Sequence, residues 1–425
     1  MPNGYDKTDL ISHPLIYHKK SLRAKCLIFI VRNRRYIMSR EAVVVSYGRS
    51  PVCRAFKGSF KDVHPIDYSA QVLNAVVDNI HGLDKNDIED VIMGCSVHHK
   101  TTSMNIARSV VLRSDLPESV AGLTINRFCS SGLQAIAIAN ASIIAGQGDV
   151  IIAGGVEDMS NTFEPYPIEY QNKWLNDHDK AAYIGNGITA ENIVKKYGIT
   201  REEMDQLAVD SHAKADAANK AGKLAPSIVP ITITDENGQE RIVKEDEGIR
   251  PGTSLEKLAT LKPCFIPPEE GGTVTAATSS QTSDAAAFVA LMESEKAKEI
   301  GAKPIAKMLS FAVAGCDPKL MGLGPIYAVP KALKRAGITV DDLDVIEINE
   351  AFAAQMIACI RDLKLPMDKI NPYGGAMALG HPLGATGAIL TAKALDYLKD
   401  TGGKYALVTM CIGGGMGAAG VYELL

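Results

Sequence analysis

Apolar positions along the chain fall into two alternating textures. Short aliphatic runs bounded by glycine read as strands, and longer stretches rich in small residues have helical spacing. The run Ala42-Val43-Val44-Val45 opens the first clear strand. Residues 82–94 read GLDKNDIEDVIMG and residues 337–349 read GITVDDLDVIEIN. Each begins at a glycine, passes an acidic stretch, sets an apolar residue six positions on (Ile88, Leu343), and enters a strand near Val91 or Val345. The elements that follow also recur. Cys129 precedes a small-residue helix over 132–145, then the strand Val150-Ile151-Ile152 and Gly154-Gly155. His381 precedes a helix over 385–399, then the strand Ala406-Leu407-Val408 and Gly413-Gly414-Gly415. One order of elements used twice predicts a duplicated, layered α/β architecture.

Residues 159–273 have a different texture. Strand signals fade and helices take over. Thr200 with Glu203 forms a capping box for a helix running to Gly222, and Thr253 with Glu256 predicts a second box ahead of a helix over 255–261. The stretch reads as an inserted loop domain lying over the active face. Residues 1–37 form a basic N-terminal extension with eight Lys or Arg and two acids, Asp6 and Asp9. Its apolar patch, residues 26–31, is short for a signal peptide and no small-residue cleavage site follows. The segment reads as lying upstream of the natural start at Met38. A targeting arm is the alternative, and the two acids and the lack of an amphipathic period speak against it.

Composition narrows the class. A chain of 425 residues, 46% hydrophobic and 22% charged, is too apolar for global disorder. It can bury about three quarters of its unfolded surface without disulfides or metals. The balance of 45 basic and 49 acidic residues argues against nucleic-acid binding. No apolar run approaches the ~18 residues of a membrane span. The eight cysteines form no C-x-x-C pair, so no metal site is expected, and they read as reduced thiols of a cytoplasmic protein.

Candidate chemistry gathers in four places. In Asn126-Arg127-Phe128-Cys129-Ser130-Ser131-Gly132, Cys129 stands at a helix start, where free N–H groups and the helix dipole favour thiolate and can hold an oxyanion. The bland alternative is a buried core cysteine. Asn349-Glu350-Ala351-Phe352 follows a strand end, where α/β proteins bind ligands, although Asn349 taken alone reads better as a helix cap. His381 sits between Gly380 and Pro382 in a glycine-rich turn, where an imidazole could take a thiol proton or donate to an oxyanion. Cys411 leads into Gly413-Gly414-Gly415, and eleven of the 37 glycines fall between 374 and 417, marking a tight backbone-lined site. His98-His99, adjacent on a strand and so facing opposite ways, make a poor metal pair.

Together the segments NRFCSSGLQAI, NEAFAAQ, GGAMALGHPLGATGA and CIGGGMGAA resemble the signatures of the thiolases, in order, from about Met38 to Leu425. The resemblance implies a fold of two duplicated αβαβα halves with an inserted loop domain. Residues 38–158 with 274–300 would form the N-terminal half, 159–273 the loop domain and 301–425 the C-terminal half. It implies that Cys129 carries the acyl group as a thioester, that His381 activates it, and that Cys411 is the second acid/base. Asn349, through a water, and His381 would form one oxyanion hole, and the backbone N–H groups of Cys129 and Gly413 the other. For coenzyme A it implies Ser280 in the pantetheine loop, Arg250 near the nucleotide, and Ala351 and Phe352 along the channel. Arg250 read alone is a solvated surface charge. The resemblance implies coenzyme A as a substrate, no tightly bound cofactor, acyl-CoA as partner, and a homo-oligomer, dimer or tetramer.

Three positions depart from the family pattern. Thr278 replaces the usual Asn, and Ala285 the usual Gly, which would be strained if positive φ were needed there. Asn186, in Gly185-Asn186-Gly187, stands where a methionine usually lines the acyl pocket, making that wall more polar. The wording Gly-His-Pro-Leu-Gly-Ala-Thr-Gly leans toward the degradative 3-ketoacyl-CoA thiolases of fatty-acid β-oxidation. The alternatives are a biosynthetic acetyl-CoA acetyltransferase and a non-catalytic acyl-CoA-binding relative. Loss of a cysteine or of His381 would favour the latter, and none is lost.

Overall fold

In the computed structural model, which describes residues 40–235 and 237–425, the apolar runs pair into one large sheet. Residues 1–37 and the expected start at Met38 lie outside the described residues. The strands are β1 (Ala42–Arg49), β2 (Cys53–Arg54), β3 (Asp90–Gly94), β4 (Ala121–Ile125), β5 (Val150–Asp158), β6 (Ile231–Thr234), β7 (Glu240–Val243), β8 (Ser283–Glu293), β9 (Ala306–Gly315), β10 (Val345–Ile348), β11 (Tyr405–Ile412) and β12 (Met416–Leu424). The helices of eight residues or more are α1 (Pro65–Asp78), α2 (Ile106–Arg113), α3 (Ser131–Ile144), α4 (Asn186–Tyr197), α5 (Arg201–Lys220), α6 (Gly324–Ala336), α7 (Ala353–Leu363) and α8 (Leu383–Thr401).

The strand order is β10-β11-β12-β9-β1-β8-β5-β3-β4, with β2 on the end of β8, while β6 and β7 form a separate hairpin. Duplication is visible in the pairing. β3 lies parallel to β5, β5 antiparallel to β8, and β8 antiparallel to β1. In the second half β10 lies parallel to β11, β11 antiparallel to β12, and β12 antiparallel to β9. The repeat read from residues 82–94 and 337–349 is β3 and β10. The two sets touch where Val44 of β1 pairs with Ala306 of β9.

Burial explains the layers. Leu133 and Ile136 of α3 and Ala388 and Leu395 of α8 share one core with Ile92, Ile151 and Val289 of the first half and Val408 and Met410 of the second. The two helices therefore form a central layer between the halves. On the far faces, α1 and α2 cover the first half through Leu73, Val76 and Val110, and α6 and α7 cover the second through Val329 and Met356. The sequence of layers is α-β-α-β-α.

The central helices approach to backbone contact. A Cβ on Gly132 would lie 2.7 Å from the Gly384 carbonyl oxygen, and one on Gly387 would lie 2.1 Å from the Leu133 nitrogen. Only glycine fits at either place.

Several local expectations change. The Thr200 box is present: the Thr200 hydroxyl accepts from the Glu203 N–H (3.1 Å) and the Glu203 carboxylate from the Thr200 N–H (2.8 Å). The Thr253 box is not, because Thr253 Oγ1 donates to the Arg250 carbonyl (2.7 Å) and the short helix Leu255–Ala259 begins after Ser254. The loop region also carries the β6–β7 hairpin, whose four-residue strands are too short to give a clear periodic signal. The alanine-rich β8 is buried along all its length, so it lacks the alternation that marks a half-buried strand. His98 and His99 lie beyond the end of β3, and His99 pairs with Glu164 at 2.7 Å. Ala285 lies within β8 and is not among the residues with positive φ, so it carries no strain of the kind expected. Thr278 is accommodated too, its hydroxyl accepting from the Thr275 N–H (2.9 Å) and its carbonyl from the Ala353 N–H (2.9 Å). No helix among the described residues is long and apolar enough to cross a membrane.

The α3–α8 contact generates a stability prediction. Gly387→Ala sets a methyl against rigid backbone, an overpacking that costs about 1–3 kcal/mol. Denaturant unfolding should show a lower midpoint with an unchanged slope, and an unchanged midpoint would refute the close contact.

Candidate active site

The turn before α3 is built by its own polar side chains. Asn126 Nδ2 donates to the Ser96 carbonyl (2.7 Å), and Asn126 Oδ1 accepts from the Phe128 N–H (2.7 Å). Ser131 Oγ accepts from the Arg127 N–H (2.8 Å) and donates to the Phe128 carbonyl (2.7 Å). These bonds hold Phe128 at φ +44°, a left-handed conformation that costs about 1–2 kcal/mol for a residue with a side chain. Cys129 follows, buried in a single 3₁₀ turn ahead of α3.

Burial pushes the Cys129 thiol up to about 11, while the N–H groups of Gly413 and of Cys129 itself pull the other way. The expectation that the helix start favours thiolate is thus corrected. Loss of solvent outweighs the two N–H dipoles, so the resting group is the neutral thiol.

His381 follows Gly380, whose φ of +107° turns the chain, and its N–H donates to the Gln281 carbonyl (2.9 Å). Nδ1 lies 2.6 Å from Thr386 Oγ1 and Nε2 lies 3.2 Å from Asn349 Nδ2. Burial pushes the imidazole down to about 3, so it is neutral at rest. Assigning Asn349 Nδ2 as the donor to Nε2 puts the ring proton on Nδ1, toward Thr386. Nε2 is then the basic nitrogen.

Asn349 lies just past β10, its N–H bonded to the Thr409 carbonyl of β11 (3.0 Å). The helix-cap reading fails, because α7 begins at Ala353 with Phe352 in the cap position, and the Asn349 side chain turns to His381 instead. Its Oδ1 is buried without a protein partner among the described residues. Cys411 lies near the end of β11, opposite Gly417 of β12. It is fully buried, and burial first, then the neighbouring Cys129, push its thiol well above the ordinary range. Gly414 and Gly415 at φ +78° and +82° turn the chain directly after Gly413.

A cavity of about 320 Å³ opens onto Cys129 and His381. Cys129, His381, Asn186, Ser280, Ala351 and Phe352 all line it. The Ser280 N–H donates to the Ala351 carbonyl (2.9 Å), which joins two of these walls. Asn186 opens α4, and a Cβ on Gly413 would lie 3.8 Å from its Oδ1, so the polar wall is close to the two backbone N–H groups at Cys129. Arg250 is not brought here. Its N–H is tied to His212 Nδ1 (3.1 Å), and it lines a separate cavity of about 370 Å³ with His212 and Lys220.

Sequence reasoning missed Thr386, Gln281 and Glu157. Thr386 lay inside the quoted GHPLGATGA, five residues after His381. Glu157 carried a signal: it is an acid ending the otherwise apolar run VIIAGGVE. Met159, Phe265 and Met321 also line the cavity and gave no signal beyond ordinary core packing.

A buried thiol and a neutral imidazole lining one cavity, with a second thiol and paired N–H donors next to the first thiol, have the chemistry of an acyltransferase that works through sulfur. Residues 42–295 match the thiolase N-terminal domain and residues 302–424 the thiolase C-terminal domain. The chain belongs to the thiolase family. It is 44% identical over 393 residues to the 3-ketoacyl-CoA thiolase of Bacillus subtilis (strain 168), covering 91% of this chain and 100% of that one. It is 43% identical to the 3-ketoacyl-CoA thiolase of Marinobacter nauticus, covering 90% of this chain and 98% of that one. The crystal structure of the Bacillus anthracis acetyl-CoA acetyltransferase superposes with a TM-score of 0.84 at 38% identity, covering 91% of this chain and 99% of that one.

The protonation states generate a prediction for the resting protein. Alkylation of Cys129 by iodoacetamide, read by mass on its peptide, should climb with pH past the ~8.5 of an ordinary thiol toward the value of about 11 set by burial. A plateau near the ordinary value would refute the desolvated neutral thiol.

Proposed function

We propose that the chain is a 3-ketoacyl-CoA thiolase, cleaving 3-ketoacyl-CoA with coenzyme A through an acyl-cysteine. The observation that carries this reading is that Cys129 and His381 line one cavity of acyl size, with Asn349 bonded to His381 and the buried Cys411 next to Cys129. Relatives 42–44% identical bear that name and support the substrate.

Each step follows from the groups present. The Cys129 thiol gives its proton to His381 Nε2, and the sulfur attacks the 3-keto carbon. The N–H groups of Cys129 and Gly413 hold the oxyanion that forms. The bond between C2 and C3 then breaks, leaving the acyl group on Cys129 and its electron pair on C2 as the enolate of acetyl-CoA. His381 and Asn349, through a water, stabilise the enolate oxygen, and the Cys411 thiol protonates C2. Acetyl-CoA leaves. The thiol of free coenzyme A gives its proton to the Cys411 thiolate and attacks the thioester; the Cys129 sulfur leaves and recovers its proton from His381, and the product departs as acyl-CoA shortened by two carbons. The reverse direction is Claisen condensation on the same groups.

The reading extends to coenzyme A as a co-substrate with no tightly bound cofactor, Ser280, Ala351 and Phe352 along the pantetheine channel, and Arg250 toward the nucleotide. It extends to a homo-oligomer, dimer or tetramer, in the cytoplasm and serving fatty-acid β-oxidation. The working division is 38–158 with 274–300, 159–273 and 301–425.

The test is thiolysis of a series of 3-ketoacyl-CoA thioesters, four carbons upward. Turnover of the longer chains is expected. Activity confined to acetoacetyl-CoA would replace the reading with an acetyl-CoA acetyltransferase, and no turnover by folded protein would replace it with an acyl-CoA-binding role. Cys129→Ala should abolish the acyl-enzyme. Cys411→Ala should still accept an acyl group from acyl-CoA yet lose carbon–carbon cleavage by at least about 100-fold. Loss of the acyl-enzyme in both variants alike would overturn this division of labour.

A further inference from the structure

Glu157 takes no part in the chemistry above, yet it is fully buried beside it. It lies at the end of β5, and three backbone N–H groups meet its carboxylate. Oε2 accepts from Ser96 (2.9 Å) and from Gly384 (2.8 Å), and Oε1 accepts from Val97 (3.0 Å). Ser96 and Val97 follow β3 in the first half of the molecule. Gly384 lies in the first turn of α8 in the second half, three residues after His381.

The bonding continues on the other side. The Ser96 carbonyl accepts from Asn126 Nδ2 (2.7 Å), and Asn126 Oδ1 accepts from the N–H of Phe128 (2.7 Å), the residue before Cys129. An unbroken line therefore runs from the helix behind His381, through Glu157, Ser96 and Asn126, to the turn that presents Cys129. We infer that Glu157 is a positioning residue that registers His381 against Cys129 across the two halves. This rests on the acyl-transfer reading of those two residues.

The side-chain type fits the task. A carboxylate accepts three N–H groups and offers no hydrogen to oppose them. Glutamine in the same place can keep Ser96 and Gly384 on its oxygen but turns an NH₂ against the Val97 N–H. Leucine leaves three buried N–H groups without an acceptor. Burial raises the Glu157 carboxyl to about 7 against the pull of the three N–H groups, so across the alkaline range in which the thiol titrates it is ionised, and its negative charge opposes thiolate formation. That charge supplies a readout that loss of packing would not move.

The experiment compares wild type, Glu157→Gln, Glu157→Leu and Asn126→Ala. Alkylation of Cys129 counts intact sites and gives its pH dependence, and rapid quench gives acyl-enzyme formation from a 3-ketoacyl-CoA. Glu157→Gln should lower acylation per intact site by at least about tenfold, with KM changed by less than about twofold. Its alkylation curve should move to lower pH, because a negative charge is gone. Asn126→Ala breaks the line at a second link without removing a charge, so it should slow acylation and leave the curve in place. If Glu157→Leu fails to fold, Glu157→Gln carries the result. Wild-type acylation per site in Glu157→Gln, or loss only in proportion to unfolded protein, would overturn the inference. Should wild type form no acyl-enzyme on Cys129, the acyl-transfer reading itself fails. The shift of the Glu157→Gln alkylation curve then decides separately whether the carboxylate acts on the thiol.

Discussion

Two helices can touch backbone to backbone only where neither carries a side chain, and α3 and α8 do so. A Cβ on Gly132 would meet the Gly384 oxygen at 2.7 Å; α8 meets β5 as closely, since a Cβ on Gly155 would meet the same oxygen at 2.0 Å and one on Gly384 the Val156 oxygen at 2.6 Å. Cys129 lies two residues before α3 and His381 two residues before α8. The separation of the helices therefore sets the separation of thiol and imidazole. One methyl group at this contact would move the two reactive groups apart, however faithfully each local turn were kept.

The closeness has an electrostatic consequence. The reactive groups are buried, and burial raises both thiols and lowers the imidazole, so the thiols and the imidazole rest neutral. Neutral groups are the cheap way to bury reactivity, because isolated charges in such a place cost several kcal/mol each, by order of magnitude about. Apart from the Glu157 carboxyl, held by three backbone N–H groups, the charges lie further back, where they are matched. Lys393 Nζ reaches Glu347 Oε2 (3.0 Å) and the Gly374 carbonyl (2.5 Å), and Arg49 grips Asp246 with both nitrogens (2.7 and 2.8 Å). Glu347 is two residues before Asn349, and Gly374 opens the glycine-rich turn that ends in His381. The buried pair thus braces the backbone that presents the uncharged groups. The donors that face the Cys129 sulfur are likewise backbone N–H groups, fixed by the fold itself.

The duplicated architecture was legible in the sequence because each half repeats a glycine, an acidic stretch and a strand, and because Cys129 and His381 each introduce a helix of small residues. The strand β8 was not legible. Buried on both faces and rich in alanine, it lacks the period-2 alternation that identifies a strand. Most of the candidate site was legible through four short segments, since reactive side chains beside glycine runs stand out. Arg250 lines a cavity of its own beside His212, whose Nδ1 accepts from its N–H, a placement that a lone basic residue does not show in the sequence. The helix-cap reading of Asn349 and the thiolate reading of Cys129 failed for a common reason. Each judged a side chain by its place along the chain, while its state is set by His381 and by burial, which come from tertiary packing.

The cavity divides between two kinds of structure. Its floor, Cys129 and His381, hangs from the glycine contacts of the central layer, which tolerate no added atom. Much of its wall, Phe163, Asn186 and Phe265, comes from the inserted region 159–273. These residues sit on short helices and loops, and Phe265 meets Phe352 edge to face at 5.9 Å rather than through a sheet ladder. A change of side chain there alters the shape or polarity of the acyl space without moving the sulfur or the imidazole. The shape of the cavity is thus set largely by residues 159–273, and the placing of thiol and imidazole by the central layer. That separation explains how a polar Asn186 can stand close to the reacting groups while the thiols, the imidazole and their donors keep their arrangement.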